Sequence, residues 1–222
     1  PLSDTSHPLV SAQKARRWVP YLLQQLKDGQ PVRKWRVHRE EKQTAAQESD
    51  EKETAGFPVS ISTKNDMANF NENVMWVGHS TLLLNHLDVT IMTDPHFSDR
   101  ASPFSFMGPK RITPSPVEIV DLPRIDVVVI SHNHYDHLDE ASIREIARTQ
   151  PSVEFFVPLG LKSLLEEWGA ERVTELDWWQ QVQRKGVTIQ PTPVQHWSKR
   201  TLFDRNKTLW SGWMLQWKDF SF

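Results

Sequence analysis

The stretch from Ile125 to Asp139, IDVVVISHNHYDHLD, limits what this chain can fold into more than any other. IDVVVI (125–130) is a β-branched run of the kind found in strands covered on both faces, so it must lie in the middle of a sheet. Three of the nine histidines and two carboxylates follow within residues 132–139. Asp139 is a good helix N-cap, and Ala141, Ile143, Ile146 and Ala147 form an apolar stripe at helical spacing. The order strand, polar loop, helix then recurs: VEFFV (153–157) precedes a helix with Leu161, Leu164, Leu165 and Trp168 on one face, stopped by Gly169.

Upstream, VMWV (74–77), TLLL (81–84) and DVTIM (88–92) are short apolar runs separated by GHS and NHL, the pattern of antiparallel strands joined by tight turns. Prolines 103, 109, 114, 116 and 123 predict a long surface loop over 100–123, with neither helix nor ladder. Downstream, VTIQPTPVQHW and WSGWMLQWKDFSF read as strands and turns, and the last ten residues as a hairpin whose returning strand opens at Phe220. A sequence stopping there is expected to be the front part of a longer one. An antiparallel start followed by alternating strands and helices predicts an α/β sandwich with mixed sheets. Residues 1–73 read separately, as one amphipathic helix (Trp18, Leu22, Leu23 and Leu26 within 11–27) and a charged arm over 39–53 with little to bury. The site-bearing domain is expected over 74–222, C-terminally incomplete.

The cluster after Ile130 carries the chemistry. On an extended stretch His132 and His134 point the same way, so both imidazoles reach one metal ion. As the chain turns toward the helix, Asp136 and His137 aim at a second point, and two ions roughly 3.5–4 Å apart are the arrangement of binuclear hydrolases. The sequence contains no cysteine, which leaves imidazoles and carboxylates as strong ligands; that set suits Zn²⁺ and admits Mn²⁺ or Fe. Asp94, where a strand ends in TDP, reads equally as a group holding a ligand imidazole in its tautomer and as a turn-forming aspartate before proline. His79, after Gly78 in a tight turn, reads as a hydrogen-bonded histidine behind the ligands; His7, His38 and His86 read as surface residues.

The H-x-H-x-D-H segment, together with Trp76-Val77-Gly78-His79-Ser80-Thr81, Thr93-Asp94-Pro95 and Gln195-His196-Trp197, resembles the metallo-β-lactamase superfamily over about Val74 to Phe222. Its nearest branch is that of the N-acyl-phosphatidylethanolamine-hydrolysing phospholipases D and their bacterial relatives. The resemblance implies an αββα sandwich, a first ion on His132, His134 and His196, and a second on Asp136 and His137, which also act in catalysis. The family's bridging aspartate and last histidine are expected beyond Phe222.

By the same resemblance the expected reaction is metal-dependent hydrolysis of a phosphodiester or ester in a small molecule or phospholipid. A sugar-lactone hydrolase and a non-catalytic binding module are the alternatives. A formal net charge of -2 gives no global basic excess, which excludes non-specific nucleic-acid binding as the default. No apolar stretch nears the roughly 18 residues of a membrane span, so the reading is soluble, cytoplasmic or peripheral on a membrane, with room for homo-oligomers. Phe104, Phe106 and Met107 in the proline-rich loop and Trp197 beside His196 offer walls for an apolar groove, or simply packing.

Overall fold

Side chains of a strand alternate between its two faces. In the computed structural model, which describes Ser62 and residues 64–222, that alternation sorts the core into two layers. After a short helix α1 (Lys64–Ala68), the strands β1 (Asn73–Gly78), β2 (Thr81–His86) and β3 (Val89–Thr93) form an antiparallel meander. β4 (Val127–Val129), β5 (Glu154–Pro158) and β6 (Val173–Leu176) continue the same sheet in parallel, giving the order β1-β2-β3-β4-β5-β6. Helices α2 (Glu140–Thr149) and α3 (Lys162–Glu167) make the crossovers β4 to β5 and β5 to β6. A second, antiparallel sheet holds β7 (Val182–Arg184), β8 (Val187–Thr192) and β9 (Gly212–Gln216).

Val128, Phe155 and Val157 face the helices and pack with Ile143, Ile146, Leu165 and Trp168. Their neighbours Val127, Val129 and Phe156 face the second sheet and pack with Val187, Ile189, Leu215 and Trp217. The β-branched run therefore sits in the middle of the sheet, covered on both sides, as its composition requires.

Helix α2 starts where Asp139 accepts a hydrogen bond from the Ser142 amide, and α3 ends at Gly169, whose φ of 95° favours glycine. The closing hairpin also forms, with Leu215 and Phe222 exchanging backbone hydrogen bonds of 2.9 and 2.8 Å.

Three expectations change. The proline-rich segment is a long loop, but it is pinned: Arg100 and Lys110 form an antiparallel bridge, and a 3-10 turn spans Ile119–Asp121. Prolines 103 and 109 lie within this bridged tip, and Pro109, with no N–H to give, joins the bridge through its carbonyl, which accepts from Ala101 N at 3.0 Å. His86 is not a surface residue; its side chain is 19% exposed and pairs with Glu72. The core also begins before Val74, since Met67 is buried in the helix-side layer and Phe70 packs against it. The helix read over 11–27 and the arm over 39–53 lie outside the described residues. No helix among the described residues is long and apolar enough to cross a membrane.

Because Phe156 is fully buried between the sheets, Phe156→Ala should lower unfolding free energy by about 3–5 kcal/mol. Val120→Ala, at an exposed position, should stay within about 0.5 kcal/mol. Paired urea melts measure both.

Candidate metal centre

The loop that leaves β4 delivers its side chains through one buried carboxylate. Asp94 closes β3, with its amide donating to Val129 O at 2.9 Å, and its side chain reaches across to the end of β4. Ser131 N donates to Oδ1 at 2.6 Å, while Ser131 Oγ (2.6 Å) and His137 Nδ1 (2.8 Å) both donate to Oδ2. Having given its proton to Asp94, Ser131 Oγ accepts from His132 Nδ1 at 2.8 Å. Each proton is thereby placed on the far side of its ring, and Nε2 of both His132 and His137 is left as a bare lone pair. Of the two readings the sequence allows for Asp94, the contacts are those of the tautomer-holding one.

Those lone pairs take part in two groups. In the first, His132 Nε2 lies 2.8 Å from His134 Nδ1 and 2.9 Å from His196 Nε2. In the second, His79 Nε2 lies 2.9 Å from Asp136 Oδ2 and 3.3 Å from His137 Nε2. Within each group the three donor atoms lie within 4.8 Å of one another. The groups adjoin, since the rings of His132 and His137 are 4.2 Å apart at their centroids.

Electrostatics suit the first group to a cation other than a proton. Burial, reinforced by the neighbouring imidazoles, pulls His132 down to about 2, and burial also lowers His134 and His196. Neutral imidazoles with converging lone pairs repel unless an ion sits among them, and three nitrogen donors without sulfur are a zinc-type set. His137 is opposite. Burial lowers it, but the hydrogen bond and charge of Asp94, with Asp136, outweigh burial and leave it raised.

His196 comes from the second sheet, 64 residues after His132, on the connection from β8 to β9. Four hydrogen bonds and one ring contact fasten that connection and the start of β9 to β4 and its loop. Ser211 N donates to Ser131 O (2.9 Å) and Trp213 Nε1 to Ile130 O (2.9 Å). Arg200 donates to Leu138 O (2.7 Å) and Asn133 O (3.2 Å), and its guanidinium lies over the Tyr135 ring at 4.1 Å. Trp210 Nε1 also donates to Val194 O, which fixes the backbone two residues before His196.

The structure brings together every site residue the sequence points to. It differs on His79, which the sequence puts behind the ligands and the structure puts beside Asp136 and His137 as a third donor. No local signal gives this, because a hairpin turn 58 residues away in sequence supplies it. Arg111 and His96 are also missed; they line, with Trp76, Ile112, Trp197, Lys199 and members of both groups, a cavity of about 660 Å³.

In metal-stripped protein the raised pKa of His137 means that its pair with Asp94 stabilises fully below the unfolded value of about 6.5 and fades as pH rises through the folded one. The stability advantage over His137→Gln should therefore grow as pH falls from 9 to 6. Imidazole NMR should show His132 neutral throughout. An advantage growing toward high pH would reverse the assignment.

The beta-lactamase superfamily domain matches residues 89–222, more than half of the chain. The N-acyl-phosphatidylethanolamine-hydrolyzing phospholipase D 1 of Caenorhabditis elegans is 44% identical over 147 residues, which are 62% of this chain and 41% of that protein. The mitochondrial N-acyl-phosphatidylethanolamine-hydrolyzing phospholipase D of Saccharomyces cerevisiae is 40% identical over 144 residues, 63% of this chain and 30% of that one. The chain thus matches well under half the length of either relative. The crystal structure of CmlA, a diiron beta-hydroxylase from Streptomyces venezuelae, aligns with a TM-score of 0.50 at 24% identity, over 68% of this chain and 28% of that one, a likeness of fold alone. On its matched residues, this chain belongs to the metallo-β-lactamase superfamily.

Proposed function

We propose that this chain forms the centre of a metal-dependent phosphodiesterase acting on phospholipids of the N-acyl-phosphatidylethanolamine class. The observation that carries the reading is the meeting of two donor groups, His132/His134/His196 and His79/Asp136/His137, at one cavity with apolar walls. Zn²⁺ is the ion that best suits the first group, and the oxygen of Asp136 lets the second take Zn²⁺, Mn²⁺ or Fe. An ion so held supplies Lewis acidity toward a phosphoryl oxygen and an activated water near neutral pH.

The chain's own residues do the rest. Asp94 and Ser131 hold His132 and His137 with their lone pairs presented, so the donor groups are ordered by the fold. Trp76, Ala101, Pro109, Ile112 and Trp197 line one side of the cavity and offer acyl chains an apolar surface to cover. The bridged tip beyond Arg100 exposes Phe104, Phe106 and Met107, and Lys110 stands at its base, a combination suited to peripheral contact with an anionic lipid surface. A sugar lactone has no apolar group to fill such walls, which favours the phospholipid. The 44% and 40% identities to phospholipases D support the same choice.

Metal analysis after dialysis, with hydrolysis of N-acyl-phosphatidylethanolamine in mixed micelles, tests this. His132→Ala and His134→Ala should each lose the first ion. Asp136→Asn should keep it, lose the second, and cut turnover by about 10²-fold or more, the scale of a lost catalytic group. Wild-type metal content in both histidine variants would sink the metal centre. A protein that opens lactones but leaves the phospholipid intact would sink the substrate class.

A further inference from the structure

The wall of the same cavity holds a cation without a counter-ion. Arg111 follows the Arg100–Lys110 bridge, and its Nη2 donates to His96 O and lies 3.3 Å from His96 Nδ1. Its Nη1 lies against Gly78, where an added Cβ would come within 2.4 Å, so the bare backbone of Gly78 leaves the guanidinium its room. Arg111 Nε is buried with no hydrogen-bond partner, and so is Nε2 of His96 in the same wall. Arg124, Arg144, Arg148 and Arg184 pair with carboxylates, whereas Arg111, like Arg100, Arg172, Arg200 and Arg205, has none within 4 Å among the described residues; of these five only Arg111 lines this cavity. Burial pulls its pKa down against the more distant charges of Asp139 and Asp99, as expected of a guanidinium short of partners.

Nε is closed off from the cavity, but Nη1 bonds no protein atom among the described residues, so an anion can complete the guanidinium there. Its planar fork fits the paired oxygens of a phosphate better than any neutral group. We propose that Arg111, seated on Gly78 and backed by His96, is the anion anchor of the cavity and takes the non-bridging oxygens of a phosphodiester monoanion. The proposal rests on the phosphodiesterase reading and deepens it. Gly78 is joined to His79, so an anion held by Arg111 lies beside the second donor group. The anchor makes the cavity selective by charge: a lactone or carboxylic ester brings nothing for Arg111 to bind.

The test is calorimetric titration of the metal-loaded protein with dimethyl phosphate, a diester monoanion, and with trimethyl phosphate, its neutral analogue. Arg111→Gln should bind dimethyl phosphate about 10- to 100-fold more weakly, the range given by loss of a charge-assisted pair. Arg111→Lys, which keeps the charge but loses the fork, should fall between. Trimethyl phosphate should not distinguish the three proteins, and metal content and Tm should match. In turnover, KM for a phosphodiester should rise in parallel while KM for a neutral ester of the same alcohol stays put. Unchanged affinity for dimethyl phosphate in either folded variant overturns the anchor, as does failure of the wild type to bind it. Arg111-dependent binding in a protein that cleaves no phosphodiester would uphold the anchor and remove the phosphodiesterase reading instead.

Discussion

Asp94 is the point at which folding and site formation become one problem. Its carboxylate is almost fully buried with no lysine or arginine within 4 Å among the described residues, a placement tolerable only because three donors converge on it. Those donors come from the end of β4 and from the loop beyond it, while the Asp94 backbone accepts from Thr81 Oγ1 on β2 at 2.7 Å. Three strands are thereby fixed at their site-facing ends by one residue. The same bonds settle which nitrogen of His132 and of His137 faces its donor group. Without the carboxylate, Ser131 N, Ser131 Oγ and the His137 Nδ1 proton would lose their acceptor, and Ser131 Oγ would no longer be held as the acceptor for His132, so the site would lose its tautomers as β3 lost its anchor on the loop after β4.

The remaining histidine of the first group poses a different difficulty, because closing a loop of 64 residues onto a point is entropically costly. The fold meets that cost with backbone geometry. β8 and β9 lie side by side, and the connection between them is sewn to β4 and its loop by Ser211, Trp213 and Arg200. Arg200 is the most telling of these. It is largely desolvated, with its charge spread over the Tyr135 and Trp168 rings and its N–H groups spent on carbonyls of the histidine loop. The tryptophans that crowd this end of the sequence divide accordingly: Trp210, Trp213 and Trp217 pack and stitch, while Trp197 borders the cavity and stacks edge-on against His134.

What could be read from the sequence is what local chemistry determines. IDVVVI is buried on both faces by its own composition, Asp139 caps its helix by its own side chain, and H-x-H-x-D-H follows a strand and feeds both donor groups. Strands β6 and β7 escape such a reading because they are short and half-exposed, without a run of apolar residues. His79, His96 and Arg111 escape it for another reason. Each owes its place to a pairing between distant segments: the β1–β2 turn with the histidine loop, the Arg100–Lys110 bridge with Gly78. Nothing within a few residues of any of them marks it as part of one cavity.

Backbone strain points to the same places. Most positive φ values among non-glycine residues belong to tight turns away from the cavity, such as Leu87 and Asp88 between β2 and β3 or Lys185 between β7 and β8. Asp94 (φ 37°) and His79 (φ 50°) are different, for both lie at the cavity end of their strands and both put a side chain into the donor network. A left-handed conformation at a residue with a Cβ costs of order 1 kcal/mol, and glycine would remove that cost at the first position of the His79–Ser80 turn. The turn carries an imidazole there instead, with Trp76 Nε1 bonded to the His79 carbonyl at 3.0 Å to hold it. Strain accepted at the two residues that orient or extend the donor groups, and bonded in place on both sides, is the mark of a backbone shaped by what its side chains must hold.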